Sequence, residues 1–233
     1  VAARILLGVW LGAVFVLALV LPMTPEAKEW YEFPVIPGLE EKARILFFHV
    51  PTAWLATLGF IVSMIYAIRY LRGRRYDDDI RSSSAASIGF LFCLLATVTG
   101  AIWARFSWGT FWNWDPRQTS IFVLLLIYGA YFALRSAVDI EEKRAALSAV
   151  YAIIAAVVMP FFMFVMPRVL ASLHPQPVLN VQGRTEMNPA MLVLLLSSFA
   201  GFTGLAAWMW NLQVRMLRLE SRISSNRNGG SSV

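Results

Sequence analysis

Apolar positions in this chain gather into six long runs separated by short polar stretches. A helix of about 20 apolar residues crosses the hydrocarbon core of a bilayer, and each run is close to that length. The first predicted span is roughly Ile5 to Pro22, after Arg4. A basic residue before an apolar core also fits a signal peptide, but Met23-Thr-Pro-Glu-Ala27 lacks a clear small-x-small cleavage pattern, so a retained helix is expected. A polar loop over 24–44 holds Pro25, Pro34, Pro37 and Gly38. The second span ends near Leu71 and has two possible starts. Either Pro51 sits in its first turn, where a missing N–H costs nothing, or the helix begins near Glu41 and kinks at Pro51. The third span covers about Ser82 to Ala104. The fourth runs about Pro116 to Val138, with Asp115 as N-cap, Pro116 as first residue and Gln118 placed to complete a capping box. A charged turn, Asp139 to Arg144, leads to a fifth span at about Ala146 to Met166. After a loop over Pro167 to Asn188, the sixth covers about Pro189 to Leu212. Residues 221–233 are rich in Ser, Gly and Asn and are expected to be a disordered tail. The expected fold is all-α: a polytopic membrane protein with six transmembrane helices, one domain over 1–220, and a Trp-rich loop at 105–120.

Composition agrees with the runs. Hydrophobic residues make up 58% of the 233, charged residues only 15%, and the mean hydropathy is +0.62. The net charge of +6 does not point to nucleic acid, because the basic residues sit at the ends of apolar runs rather than on one soluble face. With both termini inside, 13 of the 20 Lys and Arg residues fall on the inner side. Positive-inside bias therefore favours an N-in/C-in topology. The single cysteine, Cys93, lies in an apolar run and excludes an internal disulfide. Neither a Cys-x-x-Cys-His haem attachment motif nor a P-loop occurs.

The stretch Trp108-Gly-Thr-Phe-Trp-Asn-Trp-Asp-Pro-Arg-Gln-Thr-Ser120 stands out from this background. In the N-in topology it falls outside, together with His49 and His174, the only two histidines. Neutral imidazole is a common ligand of haem iron, and two would fill both axial positions of a porphyrin. Flat indole rings suit its apolar face, and Gly109 permits close backbone approach. Arg44, Arg105, Arg117, Arg168 and Arg184 are candidates for pairing with anionic propionates. Plainer readings stand beside these. Trp103, Trp108 and Trp208 alone fit an interfacial aromatic belt. A loop histidine often only caps, and outer arginines snorkel to headgroups. Met159, Met163 and Met166 follow helical spacing and offer thioethers, but methionine more often fills gaps. Glu26, Glu29, Glu32, Glu40 and Glu41 read as a docking patch or as a solvated loop.

The stretch Trp108 to Asp115 resembles the "WWD" signature of haem-handling membrane proteins. Its continuation, Pro116-Arg-Gln-Thr-Ser120, resembles the haem exporter C branch, the cytochrome c maturation protein C family. The synthetase-type branch carries an acidic residue near position 118, where this chain has Gln118. Phe48-His49-Val50-Pro51 and Ser172-Leu173-His174 resemble the family's two haem-ligand segments. The loop before His174 departs from relatives in having no tryptophan.

The resemblance implies that His49 and His174 are axial ligands of haem b. It implies that Trp108, Gly109, Trp112, Trp114 and Asp115 form a haem platform at the periplasmic face of a bacterial inner membrane, with Arg44 and Arg117 beside it. It also implies delivery of haem, without turnover, to a periplasmic haem chaperone (maturation protein E). The implied partners are a single-span subunit (maturation protein D) and the ABC transporter subunits (maturation proteins A and B). The alternatives are a haem–apocytochrome lyase, a b-type cytochrome oxidoreductase subunit or a permease subunit. Against the cytochrome, no histidine lies mid-membrane; against a proton or ion pathway, no ionisable residue lies deep in a predicted span.

Overall fold

A computed structural model describes residues 2–175 and 187–229. The helices are α1 (Ala2–Val20), α2 (Leu46–Gly73), α3 (Tyr76–Trp108), α4 (Pro116–Ala137), α5 (Glu141–Pro160), α6 (Met166–Val169) and α7 (Pro189–Gly229). Among the described residues, six helical stretches are long and apolar enough to cross a membrane: Ala2–Val20, Glu40–Gly73, Tyr76–Trp108, Pro116–Ala137, Glu141–Val169 and Pro189–Ile223. The chain is an all-α polytopic membrane protein. Among the described residues, one small sheet pairs β1 (Met23–Thr24) with β2 (Phe33–Pro34) in parallel, within the loop after α1.

Helix α2 lies at the centre, packed along α3 and against α5 and α7, while α1 packs on α7. Small residues allow the closest crossings, as is usual where lipid supplies no hydrophobic drive between helices. A Cβ on Gly59 of α2 would stand 2.6 Å from Cα of Gly89 on α3. A Cβ on Gly201 of α7 would meet Leu11 of α1 at 2.9 Å. The core adds an offset to this backbone contact: Phe60 stacks on the buried ring of Tyr128, with centroids 3.5 Å apart.

Pro51 lies inside α2, which starts at Leu46 after a 3-10 turn over Glu40–Ile45. Of the two starts open in the sequence, the earlier one holds. A proline within a helix leaves the carbonyl four residues back without its N–H donor. Here that carbonyl belongs to Phe47, and the buried hydroxyl of Ser198 on α7 donates to it. A neighbouring helix thus supplies the bond that the proline removes.

Helix α3 begins at Tyr76, six residues before the predicted start, because three acidic residues in its first turn complement the helix dipole. Each also ties α3 to a different helix. Arg218 of α7 donates to Asp77 at 2.6 Å, Arg69 of α2 pairs with Asp78 at 3.2 Å, and Arg135 of α4 holds Asp79 through two bonds of 2.7 and 2.9 Å. Asp78 and Asp79 are buried, which a carboxylate tolerates only when paired in this way. These anchors close the end of the bundle opposite the histidines.

Two further boundaries differ from expectation. Helix α7 runs past Leu212 to Gly229 and so takes in residues 221–229 of the expected tail, because Gln213 to Glu220 contain good helix formers and neither Gly nor Pro. Helix α5 ends at Pro160 and passes through a π-helical turn, Phe161–Val165, into α6. That irregular turn redirects the chain toward His174.

Candidate functional site

Four pieces of chain meet at one end of the bundle: the first turn of α2, the last turns of α3, the start of α4 and the segment after α6. His49 enters from α2 and His174 from the last of these. Their ring centroids lie 6.4 Å apart with the planes inclined at 36°. An imidazole nitrogen binds a metal at about 2.0–2.1 Å and sits about 1.2 Å from its ring centre, so two rings on opposite sides of one ion have centres about 6.4–6.6 Å apart. The observed centroid spacing is compatible with two imidazoles placed on opposite sides of one ion.

Hydrogen bonds fix which nitrogen of each ring is free. Nδ1 of His49 lies 3.1 Å from Oγ1 of Thr99, whose hydroxyl donates to the Leu95 carbonyl at 2.8 Å. The proton between ring and hydroxyl therefore belongs to the imidazole. Nδ1 of His174 lies 3.1 Å from the carbonyl oxygen of Pro175, which can only accept. Both rings donate through Nδ1, and both leave the Nε2 lone pair available. Orienting bonds of this kind on the remote nitrogen are characteristic of metal-ligating histidine. Gly100 makes room for the first ring: a Cβ there would stand 3.0 Å from Cε1 of His49.

Burial and charge disfavour the protonated form of the second ring. Burial first, then the positive charge of Arg117, hold His174 below the ordinary imidazole value of 6.5, against opposing pulls from the Pro175 carbonyl and Asp115. The Nε atom of Arg117 is buried and has no hydrogen-bond partner among the described residues. An orphaned donor beside two imidazoles fits an anionic group of a bound molecule.

A family model described as Heme exporter protein C matches residues 6–228. The chain belongs to the heme exporter protein C family. Among its relatives, the Heme exporter protein C of Bradyrhizobium diazoefficiens is 33% identical over 182 residues, covering 78% of this chain and 69% of the relative. That of Rhodobacter capsulatus is 29% identical over 194 residues, covering 83% and 78%. That of Escherichia coli K12 is 32% identical over 181 residues, covering 76% and 70%. Membership makes the chain a multi-pass membrane protein of a haem-exporter family, with haem as its implied cargo.

Within this heme exporter protein C fold, the Trp-rich stretch divides. Trp108 is the last residue of α3, and Gly109 ends that helix with a left-handed φ of +83°. The ring of Trp108 meets Trp103 edge-on at 5.2 Å, and Trp103 in turn stands 5.7 Å from His174. Trp112 and Trp114 form a second group, edge to face at 5.8 Å, with Phe122 against Trp112. No ring contact among the described residues joins that pair to either histidine. Trp114 is 69% exposed and has the left-handed φ of +58° that non-glycine residues rarely adopt. Gln118 braces the turn: it accepts from the Asn113 N–H at 2.8 Å and donates to the Phe111 carbonyl at 3.2 Å. It does not reach back to Asp115 as the expected capping box requires. Asp115 caps α4 by accepting from the Arg117 N–H at 2.9 Å.

The remaining candidates lie elsewhere. Arg44 is held by Glu41 and donates to the Ala18 carbonyl at 2.8 Å. Arg105 donates to the Gly109 carbonyl, and Arg168 to that of Phe164. Arg184 falls outside the described residues. Met159 is buried in the core, and the Met166 sulfur accepts from Ser120. The sequence pattern passed over Trp103, Thr99 and Gly100. Trp103 resembled a belt residue, yet it is buried and donates to the Lys42 carbonyl at 3.1 Å, filling the side of His174 where the loop itself lacks a tryptophan. Thr99 and Gly100 are about one turn before it on α3, and only their proximity to His49 distinguishes them.

Proposed function

We propose that this protein binds haem b through His49 and His174 at the periplasmic face of the inner membrane and delivers it to a periplasmic haem chaperone during cytochrome c maturation. The observation that carries the proposal is the pair of imidazoles at axial-ligand spacing with both Nε2 atoms free. Arg117 supplies a cation for a propionate, and Trp103 and Trp108 offer apolar cover beside His174. Trp112 and Trp114, partly exposed and set apart, suit the contact with an acceptor protein or the outer edge of the macrocycle. The bias of basic residues toward the Asp77–Asp79 end supports a cytoplasmic setting for that end and an outer setting for the histidines. The family supports membership of a maturation system, and we assign the chaperone as maturation protein E, with proteins A, B and D as companions. The chain itself holds and orients cargo and performs no turnover.

Haem-loaded protein mixed with the apo-chaperone tests the delivery step. The chaperone is expected to acquire covalent haem, and Trp112→Ala or Trp114→Ala to slow that capture while leaving the haem spectrum of the donor intact. Equal capture by the variants would reduce these rings to an interfacial belt. Reporter fusions after residues 76 and 110 test the topology, with residue 76 expected inside and residue 110 outside.

A further inference from the structure

The Asp115 carboxylate does more than cap α4. It is 5% exposed, and it collects donors from two parts of the chain. The Arg117 N–H comes from its own helix at 2.9 Å. From the segment after α6, the Ser172 hydroxyl lies 3.0 and 2.9 Å from its two oxygens, and the Leu173 N–H donates at 2.8 Å. The Ser172 oxygen then accepts the backbone N–H of His174 at 3.1 Å. A hydroxyl has one proton to give and lone pairs to receive, so this chain of bonds is satisfied at every atom. Bonds to an ionised carboxylate are also the stronger kind.

We propose that Asp115 acts through Ser172 as a positioning residue for His174, latching the second imidazole to the start of α4 instead of touching the cargo. The proposal rests on the haem-ligand role of His174. The latch fixes the backbone at residues 172–174. The bond from Nδ1 to the Pro175 carbonyl then fixes the ring to that backbone, so the place of Nε2 follows from Asp115. The same carboxylate sets the helix start directly after Trp114. The acid of the Trp-rich motif thus joins the exposed tryptophans to the ligand loop, and a displacement of one is felt at the other.

Ser172→Ala removes the relay and leaves the α4 cap alone. Asp115→Asn keeps a good N-cap but turns an acceptor oxygen into a donor facing the loop. Ser172→Thr retains the hydroxyl. In haem-loaded protein, Ser172→Ala and Asp115→Asn are expected to shift ferric haem from low-spin six-coordinate toward high-spin, to regain the low-spin spectrum with added imidazole, and to lose haem about tenfold faster. Ser172→Thr should behave as the parent does. Without haem, amide exchange at Leu173 and His174 should quicken in Asp115→Asn while the α4 amides stay protected. Low-spin spectra in both variants without imidazole, or loss of protection along α4 instead of at 173–174, would overturn the latch. If the parent protein shows no low-spin haem, the ligand role fails instead, and the exchange measurement still decides whether the latch exists.

Discussion

The ring centroids of His49 and His174 lie 6.4 Å apart, although one ring sits on a helix that crosses the membrane and the other on an irregular segment after α6. Each ring is set by a different device. A threonine and a glycine on α3 place His49, and a carboxylate at the start of α4 holds the backbone of His174. The pair therefore depends on three helices, α2, α3 and α4, meeting the segment after α6 correctly.

Thr99→Val keeps the shape of the side chain and removes the acceptor for the Nδ1–H of His49. Loss of an orienting bond on a ligating histidine costs about 10–100-fold in metal affinity. Haem titration of Thr99→Val should show a decrease in that range, with Thr99→Ser near the parent. An unchanged affinity would mean that Thr99 does not set the tautomer.

Gly100→Ala separates helix stability from ligation. Alanine favours an exposed helix interior by about 1 kcal/mol over glycine. The added Cβ would stand 3.0 Å from Cε1 of His49, so the ring must shift by a few tenths of an ångström. The expected result is weaker haem binding without loss of thermal stability. Parallel changes in both would show that the glycine serves packing alone.

Ser198→Ala should destabilise the protein by about 1–3 kcal/mol, because the Phe47 carbonyl loses its substitute donor in a buried place. Pro51→Ala restores the ordinary N–H to that carbonyl. In the Pro51→Ala background, Ser198→Ala should therefore cost much less. Unfolding measurements on the four proteins of this cycle give the coupling, and additive effects would contradict the pairing.

Acidification should release haem later than it would from free imidazole. A folded-state pKa lowered from 6.5 means that His174 takes up its proton at a lower pH than an ordinary histidine does. The sign for stability follows: open or unfolded chains take up the proton first, so the closed arrangement weakens progressively below about 6.5. Absorbance followed from pH 8 downward should hold through 6.5 and decline only at lower values. A midpoint above 6.5 would contradict the lowered pKa of the half-buried His174.

Much of this architecture is legible in the sequence because its signals are local. Run length gives six spans, and Asp115-Pro116 starts α4 as expected. Boundaries set by tertiary contacts are not. Nothing near Pro51 announces that Ser198 will satisfy Phe47, and the early start of α3 depends on arginines from three other helices. The candidate site divides in the same way. The two histidines and the aromatic stretch are visible as rare residues, and they fall at one end of the bundle. The grouping of Trp103 with His174, and the isolation of Trp112 with Trp114, come from the turn after Gly109 and from the redirected chain after Pro160. Spacing along the sequence does not encode either.

The central claim is that one haem lies between His49 and His174. Absorption and electron paramagnetic resonance spectra of the purified, haem-loaded protein test it directly, with His49→Ala and His174→Ala alongside. The parent should give a low-spin, six-coordinate signal, and each single variant should lose it and bind haem weakly. A low-spin spectrum that survives in both variants would show that the haem is held elsewhere.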